Sequence, residues 1–117
     1  MGALTPIGNT VEEFWSNTKS GKSGIDYITL LDKDELSVKI AGEVKNFNPE
    51  EKIGKKESKR LDRYAQFALV CADEAIKSAG LDLENMDRNR IGVLIGSGIG
   101  GFQTIENQIS KIATGSK

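Results

Sequence analysis

The sequence contains no histidine and only one cysteine in 117 residues. Without histidine, imidazole acid–base catalysis, a histidine-activated serine or cysteine, and histidine metal ligation are all excluded within these residues. The single cysteine, Cys71, rules out an internal disulfide and any multi-cysteine metal site, and it fits a reducing compartment. Charge of one sign is not in excess, since 16 lysines and arginines face 17 aspartates and glutamates for a net charge of −1. A chain so balanced is not globally built to hold nucleic acid, although it leaves room for a local basic patch. No hydrophobic run reaches membrane-spanning length and no signal peptide opens the chain, so a soluble cytoplasmic protein without a nucleic-acid or membrane partner is expected.

What is present suits one small domain with enough apolar content for a core. Residues 1–8, with Pro6 and two glycines, read as a loop that has the look of following a strand. Asn9 or Thr10 can cap the next segment. Thr10 and Glu13 have capping-box spacing, Val11, Phe14 and Trp15 supply an apolar face, and the helix should stop by Gly21. Residues 25–34 have no clear period, while residues 38–44 alternate well enough for a short strand with one side exposed. Asn46-Phe47-Asn48-Pro49 reads as a turn. Residues 58–79 form the longest periodic segment, with Gly80 where a left-handed cap belongs. Five alanines along it let another backbone approach closely, so this helix is expected to lie buried among neighbours. After a polar connection over 81–89, Ile91-Gly92-Val93-Leu94-Ile95 has the length and composition of a strand. The glycine turn 96–101 follows, then a helix over about 102–113 with Phe102, Ile105, Ile109 and Ile112 on one face. Gly115-Ser116-Lys117 ends without a closing element.

Three features could carry chemistry. Cys71 sits mid-helix with neither a histidine nor a helix N-terminus to lower its pKa, and it reads as a small buried residue, not a nucleophile. Lys56, Lys59, Arg60 and Arg63 fall at i, i+3, i+4 and i+7, one face of a helix start. Cations there oppose the macrodipole, so local stability does not explain them; the readings are a solvated face or a docking patch for an acidic protein or phosphate. Gly96, Gly98 and Gly101 satisfy G-x-G-x-x-G. That turn could be a tight structural turn, a phosphate or dinucleotide cradle at a helix N-terminus, or a close-packed wall beside an active site or a subunit partner, with Ile99, Phe102 and Ile105 offering apolar surface.

Taken together, Gly2-Ala3-Leu4-Thr5-Pro6-Ile7-Gly8-Asn9-Thr10, residues 56–66 and residues 91–101 resemble the β-ketoacyl-acyl-carrier-protein synthases, most closely the type II condensing enzymes of bacterial fatty-acid synthesis. Three separated motifs in the right order across essentially the whole chain make the resemblance specific. It implies an α/β fold that is part of a thiolase-like α-β-α-β-α layering, one partial domain over residues 1–117 that is incomplete at both ends, and a homodimer. It also implies an acyltransferase that condenses an acyl-enzyme with malonyl-acyl-carrier protein, using no metal or organic cofactor. The family's nucleophilic cysteine and two histidines fall outside the matched stretches, so no catalytic residue is expected here and Cys71 is not that nucleophile. By resemblance, Ile99 lines the acyl-chain pocket near the dimer interface, and Phe102 and Ile105 extend that wall. Lys56, Lys59 and Arg60 match the residues that dock the acidic acyl carrier protein, which favours the docking reading of the basic cluster. A polypeptide so truncated should fold marginally or aggregate by itself.

Overall fold

The Thr10 hydroxyl accepts the Glu13 N–H at 3.2 Å, and the Glu13 carboxylate reaches back to the Asn9 N–H at 2.8 Å. The Thr10 cap at the head of helix α1 (Val11–Lys19) is the one that the capping spacing predicts, while the returning carboxylate takes the N–H one residue earlier than a capping box would. The helix ends at Lys19, two residues before Gly21, which turns the chain at φ 70°. The computed structural model describes residues 1–115; Ser116 and Lys117, where an open tail is expected, lie outside them.

A two-stranded antiparallel hairpin follows. Strand β1 (Ile25–Tyr27), in the stretch without a clear period, pairs with β2 (Ile40–Gly42), placing Asp26 opposite Ala41. The strand expected over 38–44 is thus only three residues long, and Val38 and Ile40 are both exposed. Among the described residues no third strand joins this ribbon, and its strand residues are mostly exposed, so alternation has no core to face. Its ends are tied by polar contacts instead: Lys45 Nζ meets Asp26 at 2.6 Å, and the Glu43 carboxylate accepts the Thr29 N–H and hydroxyl and the Leu30 N–H.

Asn46-Phe47-Asn48-Pro49 does more than turn the chain. Asn48 caps the short helix α2 (Pro49–Ile53), accepting the Glu50 N–H at 3.1 Å, and Pro49 occupies the first turn, where a missing N–H costs nothing. Gly54, at φ 86°, separates α2 from the single turn α3 (Lys55–Ser58). The long helix α4 then runs Arg63–Ala79 and closes on Gly80 at φ 63°, ψ 30°, the left-handed cap that the sequence predicts.

The periodic segment 58–79 is therefore not one helix. The Ser58 hydroxyl bonds back to the Lys55 carbonyl at 3.0 Å, and the Gln66 amide donates to the carbonyls of Ser58 (2.7 Å) and Leu61 (3.0 Å). Taking those carbonyls out of a helical ladder breaks the helix at 59–62, and Asp62 lies in extended backbone before α4 begins. Ser58 and Gln66, each 8% exposed, are the buried polar residues among the described ones.

Helix α4 is the post to which the N-terminal loop is tied. Glu74 accepts the N–H of Ala3 on one oxygen and the N–H of Val11 on the other, both at 2.8 Å. Gly2 lies so close to the α4 backbone that a Cβ would collide with the Cys71 carbonyl, the close approach that only glycine permits. On its other flank α4 meets Val93 and Ile95 across an open apolar groove lined by Leu61, Tyr64, Ala65 and Ala68. Its alanine stripe is half-buried, not enclosed as expected, because only part of its circumference has neighbours.

Residues 91–95 form no strand with any other segment among the described residues, and Val93 and Leu94 are 70% and 97% exposed. A strand exists only by pairing its backbone groups, and no described strand lies beside these residues to pair with them. Helix α5 (Phe102–Thr114) follows the glycine turn and ends on Gly115 at φ 65°. No apolar side chain among the described residues is buried. The radius of gyration, 17.4 Å, exceeds the roughly 13 Å of a compact domain of this length. The elements are joined by polar anchors and close backbone approach more than by a closed core.

Candidate functional site

The basic cluster is built on a break in the helix, not on a helix face. Lys56 lies in α3, Lys59 caps its carboxyl end, Arg60 stands in the turn, and only Arg63 belongs to α4. The i, i+3, i+4, i+7 reading is corrected accordingly. The first three cations precede α4 and contribute nothing to its own helical ladder, so the stability of that helix does not account for them. Lys56, Lys59 and Arg60 are all exposed, and Arg60 has Glu57 at 3.9 Å, a surface pair of small energetic weight. Arg63 has other work. Its guanidinium lies over the rings of Phe47 (5.7 Å) and Phe67 (4.8 Å), which meet edge to face, and donates to the Val44 carbonyl at 3.2 Å. It fastens the 44–47 turn to α4 and leaves the surface cluster to the other three.

The second surface is apolar. Phe102 and Ile105 stand on one face of α5, 63% and 48% exposed, and Ile99 in the turn before it is 71% exposed. Ile109 and Ile112 continue the same face outward. The stripe therefore exists as the period predicts, and no described element covers it.

The glycine turn is not shaped to cradle phosphate. Gly100 takes φ 74°, and its N–H is held by the Ser97 hydroxyl at 3.0 Å. A carboxylate already occupies the N-terminal end of α5: Asp62 accepts the Thr104 hydroxyl, and a Cβ on Gly101 would run into it. A phosphate placed there would meet a fixed negative charge, which removes the attraction that a helix N-terminus offers to anions.

The sequence profile described as "Beta-ketoacyl synthase, N-terminal domain" matches residues 1–116. The chain belongs to this family. It is 55% identical over 106 residues to 3-oxoacyl-[acyl-carrier-protein] synthase 2 of Staphylococcus aureus (strain N315), covering 91% of this chain and 26% of that protein. The enzyme of the same name from Synechocystis is 41% identical over 108 residues, again 26% of its length. Among solved structures, the ishigamide ketosynthase/chain length factor matches with a TM-score of 0.77 at 27% identity, over 97% of this chain and 28% of its own. The chain thus spans about a quarter of the length of the curated relatives it matches, and its α/β architecture is that of the thiolase-like ketosynthases.

Within this β-ketoacyl synthase chain, Cys71 is half-buried, not enclosed as expected, because α4 has neighbours on only part of its circumference. Burial pushes its thiol pKa up, the Glu74 carboxylate adds to the rise, and a hydrogen bond from the Leu4 backbone opposes it only in part. A thiol so placed stays protonated at neutral pH and is a poor nucleophile. The sequence reading overlooked Glu74, Gln66 and Asp62, the three side chains that fix the loops around α4. Each is a polar residue at or within an apolar helical pattern, which marks it for a backbone partner but does not say which. No helix among the described residues is long and apolar enough to cross a membrane.

Proposed function

We propose that this chain is the N-terminal portion of a chain-elongating condensing enzyme of fatty-acid synthesis. The single observation that carries the reading is the 55% identity to a 3-oxoacyl-[acyl-carrier-protein] synthase 2 across 91% of the chain. The complete enzyme takes an acyl group from a carrier-protein thioester and condenses it with malonyl-acyl-carrier protein. Loss of CO2 from the malonyl group supplies the carbanion equivalent that forms the new carbon–carbon bond. No residue here performs that bond chemistry; a cysteine nucleophile and two histidines elsewhere in the enzyme do so, without metal or organic cofactor. The chain alone carries out no condensation, and it forms one part of a larger thiolase-like domain in a homodimeric, cytoplasmic protein.

Two roles fall to this portion. Lys56 on α3 and Lys59 and Arg60 in the turn after it are exposed, and they present positive charge to the acidic carrier protein. Ile99, Phe102 and Ile105 form one wall of the acyl pocket near the dimer interface, and their exposure here fits a wall whose other side lies elsewhere in the enzyme.

Steady-state kinetics on the full-length protein test both roles. Reversing Lys59 and Arg60 to glutamate should raise KM for acyl-carrier protein, most at low salt, where charges about 10 Å apart are least screened. Ile99→Phe should narrow acyl-chain acceptance. An unchanged KM refutes the docking assignment, and an unaltered chain-length profile removes Ile99 from the pocket.

A further inference from the structure

Asp62 precedes α4 in the position of an N-cap, yet its side chain makes no capping hydrogen bond there. The carboxylate faces α5 instead, accepting the Thr104 hydroxyl across 42 residues of chain and pressing against Gly101. Helix α5 has no side-chain cap of its own residues at Gly101, so a carboxylate from outside complements the positive end of its dipole. Thr104 lies between Phe102 and Ile105, and a bond to it fixes both where the first turn of α5 sits and how the helix is rotated about its axis. On the other side, Asp62 is two residues from Arg60 and closes the turn that presents Lys59 and Arg60.

We propose that Asp62 is a positioning residue for acyl-chain selection, pinning the first turn of α5, and with it Ile99 and Phe102, to the turn that carries Lys59 and Arg60. The proposal rests on the reading of Ile99 and Phe102 as pocket wall. Asp62 touches no substrate; it acts through Thr104. The absence of a Cβ at Gly101 belongs to the same device. Gly101 has φ −81°, which any residue tolerates, so glycine there leaves room for the Asp62 carboxylate, and an added Cβ would push that carboxylate out of its present place.

The test uses the full-length protein and acyl-carrier substrates of short and long chain, measured separately for kcat and KM. Asp62→Ala, Thr104→Val and Gly101→Ala should each change the long-to-short ratio of kcat/KM by roughly tenfold, within the hundredfold that a misplacement of about 1 Å can cost. KM for the carrier protein should stay unchanged. The Asp62→Ala/Thr104→Val double variant should shift the ratio no further than Asp62→Ala alone, because both remove one contact. An unchanged ratio in the single variants overturns the inference, as does an equal loss for every chain length, which marks a general structural defect. Should Asp62→Ala fail to fold, Thr104→Val decides the matter, since it removes one hydroxyl from an exposed position. A wild-type protein without condensing activity overturns the functional reading beneath the proposal; an active wild type with insensitive variants overturns the role of Asp62 alone.

Discussion

Residues 1–62 and residues 91–115 are attached to helix α4 (63–79) in opposite manners. The first region is stitched on by directed bonds: Glu74 to the backbone of Ala3 and Val11, Gln66 to Ser58 and Leu61, Arg63 to Val44, and the glycine contact at Gly2. The second lies against α4 through the apolar flank of Val93 and Ile95 and a polar tie from Thr104 to Asp62, the residue just ahead of that helix. Directed bonds satisfy groups that cannot be left bare, so they specify one arrangement even with little burial. An apolar flank specifies an arrangement only when it is covered on both sides. The proposed docking residues belong to the stitched region, and the proposed pocket wall belongs to the other. A docking turn must present its charges in a set geometry from the outset, whereas a pocket wall is shaped by what closes over it.

If this contrast is correct, the largest effect follows from removing the best stitch. Glu74→Ala strips the partner from two part-buried backbone donors at once. It should lower the stability of the full-length protein by about 2 kcal/mol, and amide exchange at Ala3 and Val11 should accelerate together. Undiminished protection at those two amides would break the comparison, because it would mean the loop is held by packing. Arg63→Ala comes next, at about 1 kcal/mol, from the loss of its stacking on Phe47 and Phe67 and of its bond to Val44. Arg63→Lys should recover only part of this, since an ammonium lacks the planar face that lies over the two rings. Equal thermal midpoints for the Lys and Ala variants and the wild type would return Arg63 to the solvated cluster.

Such stitches are poorly legible in a sequence, while the elements they join are well legible. The capping pair Thr10 and Glu13, the left-handed Gly80 and the apolar face of α5 all follow from local rules that a few neighbouring residues settle. The break at 59–62 does not, because periodicity continues through it and the cause is an amide eight residues away, Gln66, bonding to the Ser58 carbonyl. The basic cluster therefore has the right members but the wrong geometry when read as one helix face. Residues 91–95 fail for a different reason: strand-forming residues make a strand only beside a partner, and pairing is a property of the whole sheet. For the glycine turn, spacing alone admits a phosphate cradle, and the fact that decides against it, the Asp62 carboxylate, lies about 40 residues away in sequence.

The hairpin offers a milder way to sharpen the contrast, through pH. The hydrogen bond and charge of Lys45 hold the Asp26 carboxyl below its ordinary 3.8, and the Thr29 hydroxyl and N–H hold Glu43 below its ordinary 4.5. Both folded-state values are depressed, so the stabilisation is present above the ordinary values and is lost as pH falls through the lowered ones. Neutral and mildly acidic solutions should leave the hairpin unchanged. Acid titration followed by NMR should move the Thr29 and Leu30 amides in one step centred below 4.5. A midpoint at or above the ordinary value would show that the Glu43 clamp does not form in solution. No matching step is expected in residues 91–101, which contain no carboxylate.

The smallest effect in this chain, and the most discriminating, concerns Leu94. It is 97% exposed, so Leu94→Ser removes almost no buried area here and should change the chain's stability by less than about 0.5 kcal/mol. Its aggregation should decrease, since a solvent-facing apolar run with unpaired backbone is a template for pairing with another copy. In the full-length protein the same substitution should be costly, on the order of the 2–5 kcal/mol seen when a large aliphatic side chain is truncated in a core. The two measurements together separate a segment that is intrinsically a surface from one whose cover comes from other parts of the enzyme. If Leu94→Ser is equally harmless in both, residues 91–95 are surface in the whole enzyme as well, and Ile99 four residues later loses its claim to a pocket wall. If it is harmless here and damaging there, the apolar flank gains its structure from the rest of the synthase, while the docking turn already has its own.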